Sequence, residues 1–448
     1  MAKTYESYKD SGSTWIGQIP SGWELGNFRY YGEFTKGKLP SSTNVEAKGL
    51  PIIGASEMLG KECRTFTEET NVPLCKPDDI LILWDGANAG IISSHHTGVV
   101  SSTAVKYSCL NPDVNKNYLF YLLKSVEPFF KEEVNGTTIP HMNMKYINEV
   151  PLLIPSSKEQ QSIASFLDTK CGEIDSLISL QEEMISELQA YKQSVITEAV
   201  TKGLDPNAKM NCCASREKND ACISSSETQP AIERKFKDSG VEWIGEIPEN
   251  WKVSKVGLQY NVILGKMLCP KQLNDDYTLE KYYCAANVHF NGIEGELKKM
   301  WFSSLDKETY LTKKGDLLVV EGGAGAGGCA IVNDDESPVY IQNSIMIVRP
   351  KLINDVRYLR YQIEQFVKRG YIDVVCNKAT IPHFTKDKVS NMQIPLPSFE
   401  VQQQIANYLD AKTSQIDSLI TLKQQKIDEL KDYKKSIIYE YVTGKKRV

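Results

Sequence analysis

The sequence predicts an α+β fold: two mixed α/β domains joined by two long helices in an antiparallel coiled coil, as a pseudo-twofold internal repeat. Three observations predict it. YKDSGSTWIGQIPSGW at residues 8–23 returns as FKDSGVEWIGEIPENW at residues 236–251. TIPH stands at residues 138–141 and again at 380–383. A long amphipathic segment with matched landmarks follows each TIPH. A duplicated chain suits a partner that offers two sites at a fixed spacing.

The leading arms, framed by Trp15, Trp23, Trp243 and Trp251, open each copy. Stacking on bases is one role for such rings; anchoring the arm against its neighbours is the other. The two copies lie 228 residues apart at Trp15 and Trp243 and 242 apart at His141 and His383, so the second carries 14 more residues, all in its globular part. The flanks match closely and the interiors loosely. Two domains of one fold with different middles imply two different ligands read in the same manner.

Within the globular stretches, ILILW (80–84) and DLLVV (316–320) are short apolar runs bounded by turn residues, which predicts buried strands. VVSSTAVKY and VYIQNSIMIV predict a second strand of the same, mostly antiparallel sheet. Helical spacing of apolar residues predicts helices over 115–134 and 355–371.

The segments after TIPH carry apolar residues in steps of three, four and seven, which marks a helix with a narrow seam. In the first copy the seam reads Ile163, Leu167, Ile174, Leu177, Met184, Leu188, Tyr191 and Val195. In the second it reads Ile405, Leu409, Ile416, Leu419, Ile427, Leu430, Tyr433 and Ile437. Ser157 or its neighbour, with Gln160 and Gln161 just inside, can cap the first. About 44 residues at about 1.5 Å each give roughly 65 Å. Such a stripe must be buried, and its own copy is the nearest partner, packed antiparallel with the globular domains at opposite ends. The expected division is therefore 1–136 for the first domain with its arm, 137–204 for the central helical region, 205–235 for a polar linker, 236–378 for the second domain and 379–448 for the C-terminal helical region.

Composition narrows the function. The sequence shows no run of about 18 apolar residues and no N-terminal apolar h-region, so neither a membrane span nor a secretory signal is expected. Eleven cysteines, odd in number and scattered through apolar contexts, suit reduced thiols in a cytoplasm. Cys212, Cys213 and Cys222 lie together without a histidine near, which fits a linker better than a zinc site. A net charge of −5 argues against coating nucleic acid non-specifically but leaves room for a local basic groove.

Few motifs carry chemistry. Gly323-Ala-Gly-Ala-Gly-Gly satisfies G-x-G-x-x-G after a strand, but CAIVNDDESPVY follows it and reads as strand and turn. A dinucleotide needs a helix N-terminus there, so a tight turn, or a loop whose backbone approaches a ligand, is the better reading. That loop contributes Gly325, and its counterpart in the first copy contributes Asn88. Gly37-Lys38 and Gly265-Lys266 pair a glycine, which admits close approach, with a lysine suited to a phosphate. Lys36 adds charge in the first copy only. The candidate ligand contacts, which the resemblance described below would turn toward DNA, are thus Lys36, Lys38, Lys266, Asn88 and Gly325. His141 and His383 recur without a nucleophile, carboxylate or second ligand at useful spacing, so a turn-fixing role is expected for TIPH. The sequence holds no Walker A, H-E-x-x-H or C-x-x-C element, and no catalytic or metal site is expected.

On these residues the chain resembles the DNA-specificity subunit of Type I restriction–modification systems. The resemblance rests on KDSGxxWIGxIPxxW before each globular stretch. It rests equally on VPLLIPSSKEQQSIASFLDTKCGEID (150–175) and IPLPSFEVQQQIANYLDAKTSQID (394–417) opening the long helices. It covers nearly the whole chain except the linker. It implies two target recognition domains, each reading one half of a bipartite sequence in double-stranded DNA. It implies helices that set the spacer and dock two methyltransferase subunits, with restriction motor-nuclease subunits joining them. S-adenosylmethionine and ATP/Mg would belong to those partners, and this chain would bind no cofactor. The other reading of the same residues is a protein-only coiled-coil scaffold. Residues 158–202 carry four lysines and eight acidic residues, so this stretch suits protein better than phosphate.

Overall fold

The structure is a computed structural model that describes the chain apart from residues 1–3, 14, 136–139, 205–234, 335–336 and 377–381. The expected linker except Lys235, its three cysteines, and the first two residues of each TIPH lie outside the described residues. The chain divides into two compact units, residues 1–183 with 423–448, and residues 184–422. Each unit thus holds one globular domain and a stretch of both long helices.

In the first unit, Tyr8–Asp10 pairs antiparallel with Gln18–Pro20. The Asp10 carboxylate accepts from the Gly12 amide at 3.0 Å and closes the turn between them. Trp23 is buried. Glu24–Gly26 then pairs with Leu152–Ile154, the strand that leads into the first long helix. Where the chain enters the domain it is therefore hydrogen-bonded to where it leaves.

The main sheet has the order Gly32–Lys36, Ala104–Cys109, Ile80–Leu83 and Ile92–Ser93, antiparallel throughout. Ile80–Leu83 is buried at every residue, as a short continuous apolar run requires. A second sheet sets Leu50–Ile53 parallel to Gly98–Val100. VVSSTAVKY is therefore two strands, and Ser101–Thr103 forms a corner between them. The helix expected over 115–134 is two, Lys116–Ser125 and Glu127–Asn135. Asn115 caps the first by accepting from the Tyr118 amide at 2.9 Å, and Pro128 sits in the first turn of the second, where its missing N–H costs little.

The second unit repeats the plan. Phe236–Asp238 pairs with Glu246–Pro248, and Lys252–Lys255 with Gln393–Leu396. Its main sheet has the order Tyr260–Leu264, Ile345–Pro350, Leu317–Val320 and Cys329–Ile331. VYIQNSIMIV likewise divides into Tyr340–Ile341 and Ile345–Pro350, with a Gln342–Ser344 corner. Asp355 caps the helix Val356–Lys368.

The long helices are Ser157–Lys202 and Phe399–Val442. Within the first unit, Lys434 reaches Asp175 at 2.7 Å and the Phe166 ring meets Tyr441 at 4.5 Å. Within the second, Lys192 reaches Asp417 at 2.7 Å. Rising numbers on one helix face falling numbers on the other, so the coiled coil is antiparallel. Each domain also grips the end of the helix that arrives from the other copy. The Tyr118 hydroxyl donates to the Leu153 and Val442 carbonyls at 3.1 and 3.4 Å. Tyr358 does the same to Pro395 and Val200 at 3.0 and 3.2 Å. Gln160 and Gln402 do not cap their helices; each is buried and accepts from a domain amide, Asn115 at 2.8 Å and Asp355 at 3.0 Å.

The seam differs from the expected one. Leu167, Ile174, Leu409 and Ile416 are buried, and Leu188 and Leu430 partly so. Leu177, Tyr191, Leu419 and Tyr433 instead point outward, 47 %, 48 %, 48 % and 58 % exposed. Their neighbours Ile178, Lys192, Ile420 and Lys434 occupy the inner positions. Leu177/Ile178 and Leu419/Ile420 are adjacent apolar pairs, and either member satisfies a three-or-four spacing, so the pattern cannot choose between them. At Tyr191 and Tyr433 the seam takes a lysine that is paired across the interface.

No described helix is long and apolar enough to cross a membrane.

Candidate nucleic-acid interface

Each domain gathers three loops at one edge of its main sheet: the strand-to-strand corner, the glycine-containing turn and the descending TIPH segment. The corner explains the repeated glycines. A Cβ on Gly37 would stand 2.0 Å from the Ser101 carbonyl oxygen, and one on Gly265 would stand 2.4 Å from that of Gln342. The close approach that glycine permits here is to the chain's own backbone.

The glycine loop is a turn between antiparallel strands, Ile80–Leu83 to Ile92–Ser93 and Leu317–Val320 to Cys329–Ile331. Gly86 and Gly323 have φ of +98° and +90°, where glycine is favoured. Their amides donate to the Pro140 and Pro382 carbonyls at 3.1 and 3.2 Å, which ties turn to TIPH. A strand follows the turn in both copies, in the place where a dinucleotide cradle would need a helix N-terminus. Asn88 and Gly325 occupy equivalent exposed tips of these turns.

The lysines separate in role. Lys36 is exposed and its ammonium stands 3.7 Å from the Asp85 carboxylate. Lys38 is exposed beside it, its amide bonded to the Val100 carbonyl at 3.0 Å. Lys266 turns inward, paired with Asp306 and lying over the Tyr277 ring at 4.7 Å and Phe302 at 5.6 Å. Burial alone would push the Asp306 carboxyl up, but hydrogen bonds from Lys266 and Ser303 outweigh it and hold it below the usual carboxylate range. Lys266 therefore staples its own domain, and its charge is already matched.

Two carboxylates escaped sequence reasoning. His141 Nδ1 is hydrogen-bonded to Asp85, and His383 Nδ1 to Glu321 at 3.2 Å. The backbone bridges are equivalent, Asp85 with His141 and Gly322 with His383, but the carboxylates sit one residue apart in the aligned turns. WDG faces EGG in the alignment, so no acidic residue recurs in register. The signal was the pair of TIPH histidines, each with an acid somewhere in the partner turn.

Around this shared frame the polar surfaces differ. The first domain presents Lys36 and Lys38 with the half-buried Ser102 and Thr103, while Ser101 is buried beneath them. The second presents Gln342, Asn343 and Ser344, where the Ser344 hydroxyl donates to Gln342 at 2.5 Å and accepts from the Ala285 amide at 3.0 Å. The Trp15 and Trp243 rings lie against Phe129 and Tyr371, at 6.2 and 5.5 Å, and so serve as anchors of the arms.

Comparison with known proteins bears on what this doubled frame is. Residues 20–190 and 248–432 match the Type I restriction modification DNA specificity domain. The chain belongs to that family. As a specificity subunit it has relatives throughout its length. It is 27 % identical over 449 residues to the Type I restriction enzyme MjaVIII specificity subunit of Methanocaldococcus jannaschii, covering 96 % of this chain and 94 % of the relative. It is 21 % identical over 394 residues to the EcoBI specificity subunit of Escherichia coli, covering 85 % and 76 %. The fold is shared with a solved chain from work on complex assembly and conformational transition of the type I R-M system. That match has a TM-score of 0.66 at 15 % identity and covers 95 % of this chain and 98 % of the other.

Proposed function

We propose that this specificity subunit is the non-catalytic DNA-recognition component of a Type I restriction–modification complex. Each domain reads one half of a bipartite target in double-stranded DNA, and the helices set the spacer between halves. The observation that carries this reading is one frame holding two different polar corners, Ser101–Thr103 and Gln342–Ser344. Lys36, Lys38, Asn88 and Gly325 lie at or beside those loops and are the contacts we assign to DNA; Lys266 supports its domain from within.

The outward apolar residues supply the protein partners. In the first unit Leu177 and Leu180 of one helix and Tyr433 of the other are exposed; in the second their counterparts Leu419, Leu422 and Tyr191 are exposed. Two equivalent Leu–Leu–Tyr patches suit two copies of one partner, and methyltransferase subunits are that partner. S-adenosylmethionine then enters with those subunits, and ATP/Mg with the restriction motor-nuclease subunits. The free thiols among the described cysteines suit the cytoplasm, where such a complex meets DNA.

Footprinting of the assembled complex tests the reading: two short protected blocks at fixed separation support it, and one contiguous block contradicts it. Binding must also weaken steeply with salt as counterions are released; salt-independent association favours the protein-only scaffold.

A further inference from the structure

The two TIPH histidines have a geometry that a turn-fixing role leaves unexplained. The segment is held by other means. Met142 and Phe384, the residues after each histidine, are fully buried. Their amides donate to the Trp84 and Glu321 carbonyls at 2.8 and 2.6 Å. The backbone bridges and the Gly86 and Gly323 hydrogen bonds add to that hold. The imidazoles themselves stay in solvent, with side chains 54 % and 56 % exposed. Ion pairs so exposed contribute about 0–1 kcal/mol to stability, so the fold gains little from either dyad.

What each dyad does is orient a ring. An ionised carboxylate only accepts hydrogen bonds, so Asp85 and Glu321 require a proton on Nδ1 and leave Nε2 as the free nitrogen. A neutral ring with this tautomer offers a lone pair at Nε2; a protonated ring offers an N–H between two acceptors. The dyad belongs to the repeated frame and not to the differing corners, so it faces what both half-sites have in common. That shared feature is the sugar–phosphate backbone, whose contacts position a protein without reading sequence.

Resting on the DNA-recognition reading above, we infer that His141 and His383 are paired phosphate clamps. Each takes up one proton when DNA binds, its Nδ1–H donating to the protein carboxylate and its Nε2–H to a backbone phosphate. Among the described residues the surrounding charges are few. Near His141 stand Asp85 and, beyond it, Lys36, with the Trp84 ring edge-on at 6.2 Å. Near His383 stand Glu321 and Lys388, whose ammonium donates to the His383 carbonyl at 2.7 Å, as does the Cys376 thiol at 3.1 Å. Lys36 partly neutralises Asp85, and Glu321 has no counterpart lysine because Leu264 stands at the equivalent position. The proton on His383 therefore matters more to binding than the one on His141.

The test uses the complex with its methyltransferase subunits, a duplex carrying the target found by methylation mapping, and a scrambled duplex of equal length. Affinity is measured from pH 6 to 8.5, across the range in which histidine side chains exchange protons, roughly 5 to 8. The wild type loses affinity as pH rises, log K falling by up to about one per pH unit for each histidine. His141→Arg and His383→Arg each remove one proton's share of that slope while retaining binding at pH 8.5, and the larger change belongs to His383→Arg. His141→Ala and His383→Ala weaken binding on both duplexes alike and make the log K–log salt slope shallower by about one. A pH-independent wild type overturns the inference. So do alanine variants that leave affinity unchanged, or that alter base preference with the salt slope intact. A complex that shows no bipartite site defeats the underlying reading instead, whereas a bipartite site bound with no pH dependence defeats only the clamps.

Discussion

At the scale of single residues, the glycines of the two loops have opposite jobs. Gly37→Ala drives a Cβ to 2.0 Å from the Ser101 oxygen, and a shift of backbone must follow. We expect it to cost about 1–3 kcal/mol, read as a lower denaturation midpoint. Gly325→Ala meets nothing within 4 Å and should stay within about 0.5 kcal/mol, so any loss of DNA affinity there reports on the interface. Lys266→Met separates fold from binding in the same way. It leaves Asp306 without its charged partner and should destabilise the protein by on the order of 1–3 kcal/mol. Asp306 is held below its unfolded value, so its contribution is present above the ordinary carboxylate range and lost as pH falls through the lowered value. The variant should consequently lose its deficit relative to wild type in acid; a deficit constant with pH contradicts the assignment. The repeated Gly-Lys pairs were visible in the sequence, but spacing does not say whether a glycine admits a ligand or the chain's own carbonyl. The histidine–carboxylate dyads were hidden for a related reason: their partners come from a turn more than fifty residues away and one position out of register.

At the scale of elements, the long helices carry two faces with different energetic weight. Leu167 and Leu409 are fully buried, and truncating either to alanine should cost about 2–5 kcal/mol. Leu177→Glu combined with Leu419→Glu places charge on exposed positions. It should leave the denaturation midpoint nearly unchanged and abolish co-purification of methyltransferase subunits; a stable double variant that still recovers those subunits contradicts the docking role. The helices were legible from periodicity alone in place and in approximate length, about 44 residues expected against 46 and 44 found. The face was less so, because adjacent apolar residues at 177/178 and 419/420 satisfy the same spacing and the seam takes lysines at 192 and 434. The Lys192–Asp417 and Lys434–Asp175 pairs sit where a hydrophobic count has nothing to register. The sheet strands were legible as apolar runs, yet VVSSTAVKY and VYIQNSIMIV gave no sign of bending from one sheet to another. Only the packing of Gly37 and Gly265 against those bends reveals why each copy needs a glycine there.

At the scale of the whole molecule, the repeat separates what is constant from what varies. The arms, the grip of Tyr118 and Tyr358 on the helix ends, the glutamine locks and the histidine dyads recur. The polar corners do not. Inserting four residues in phase into each long helix adds about 6 Å, and the spacer between half-sites should grow by one or two base pairs with both half-sites preserved. The most direct measurement of the central claim is a genome-wide map of methylated sites in cells with and without this chain. The account predicts that one motif disappears with the chain, and that it consists of two short specific blocks around a spacer of fixed length. Loss of a single contiguous motif, or an unchanged map, would contradict it.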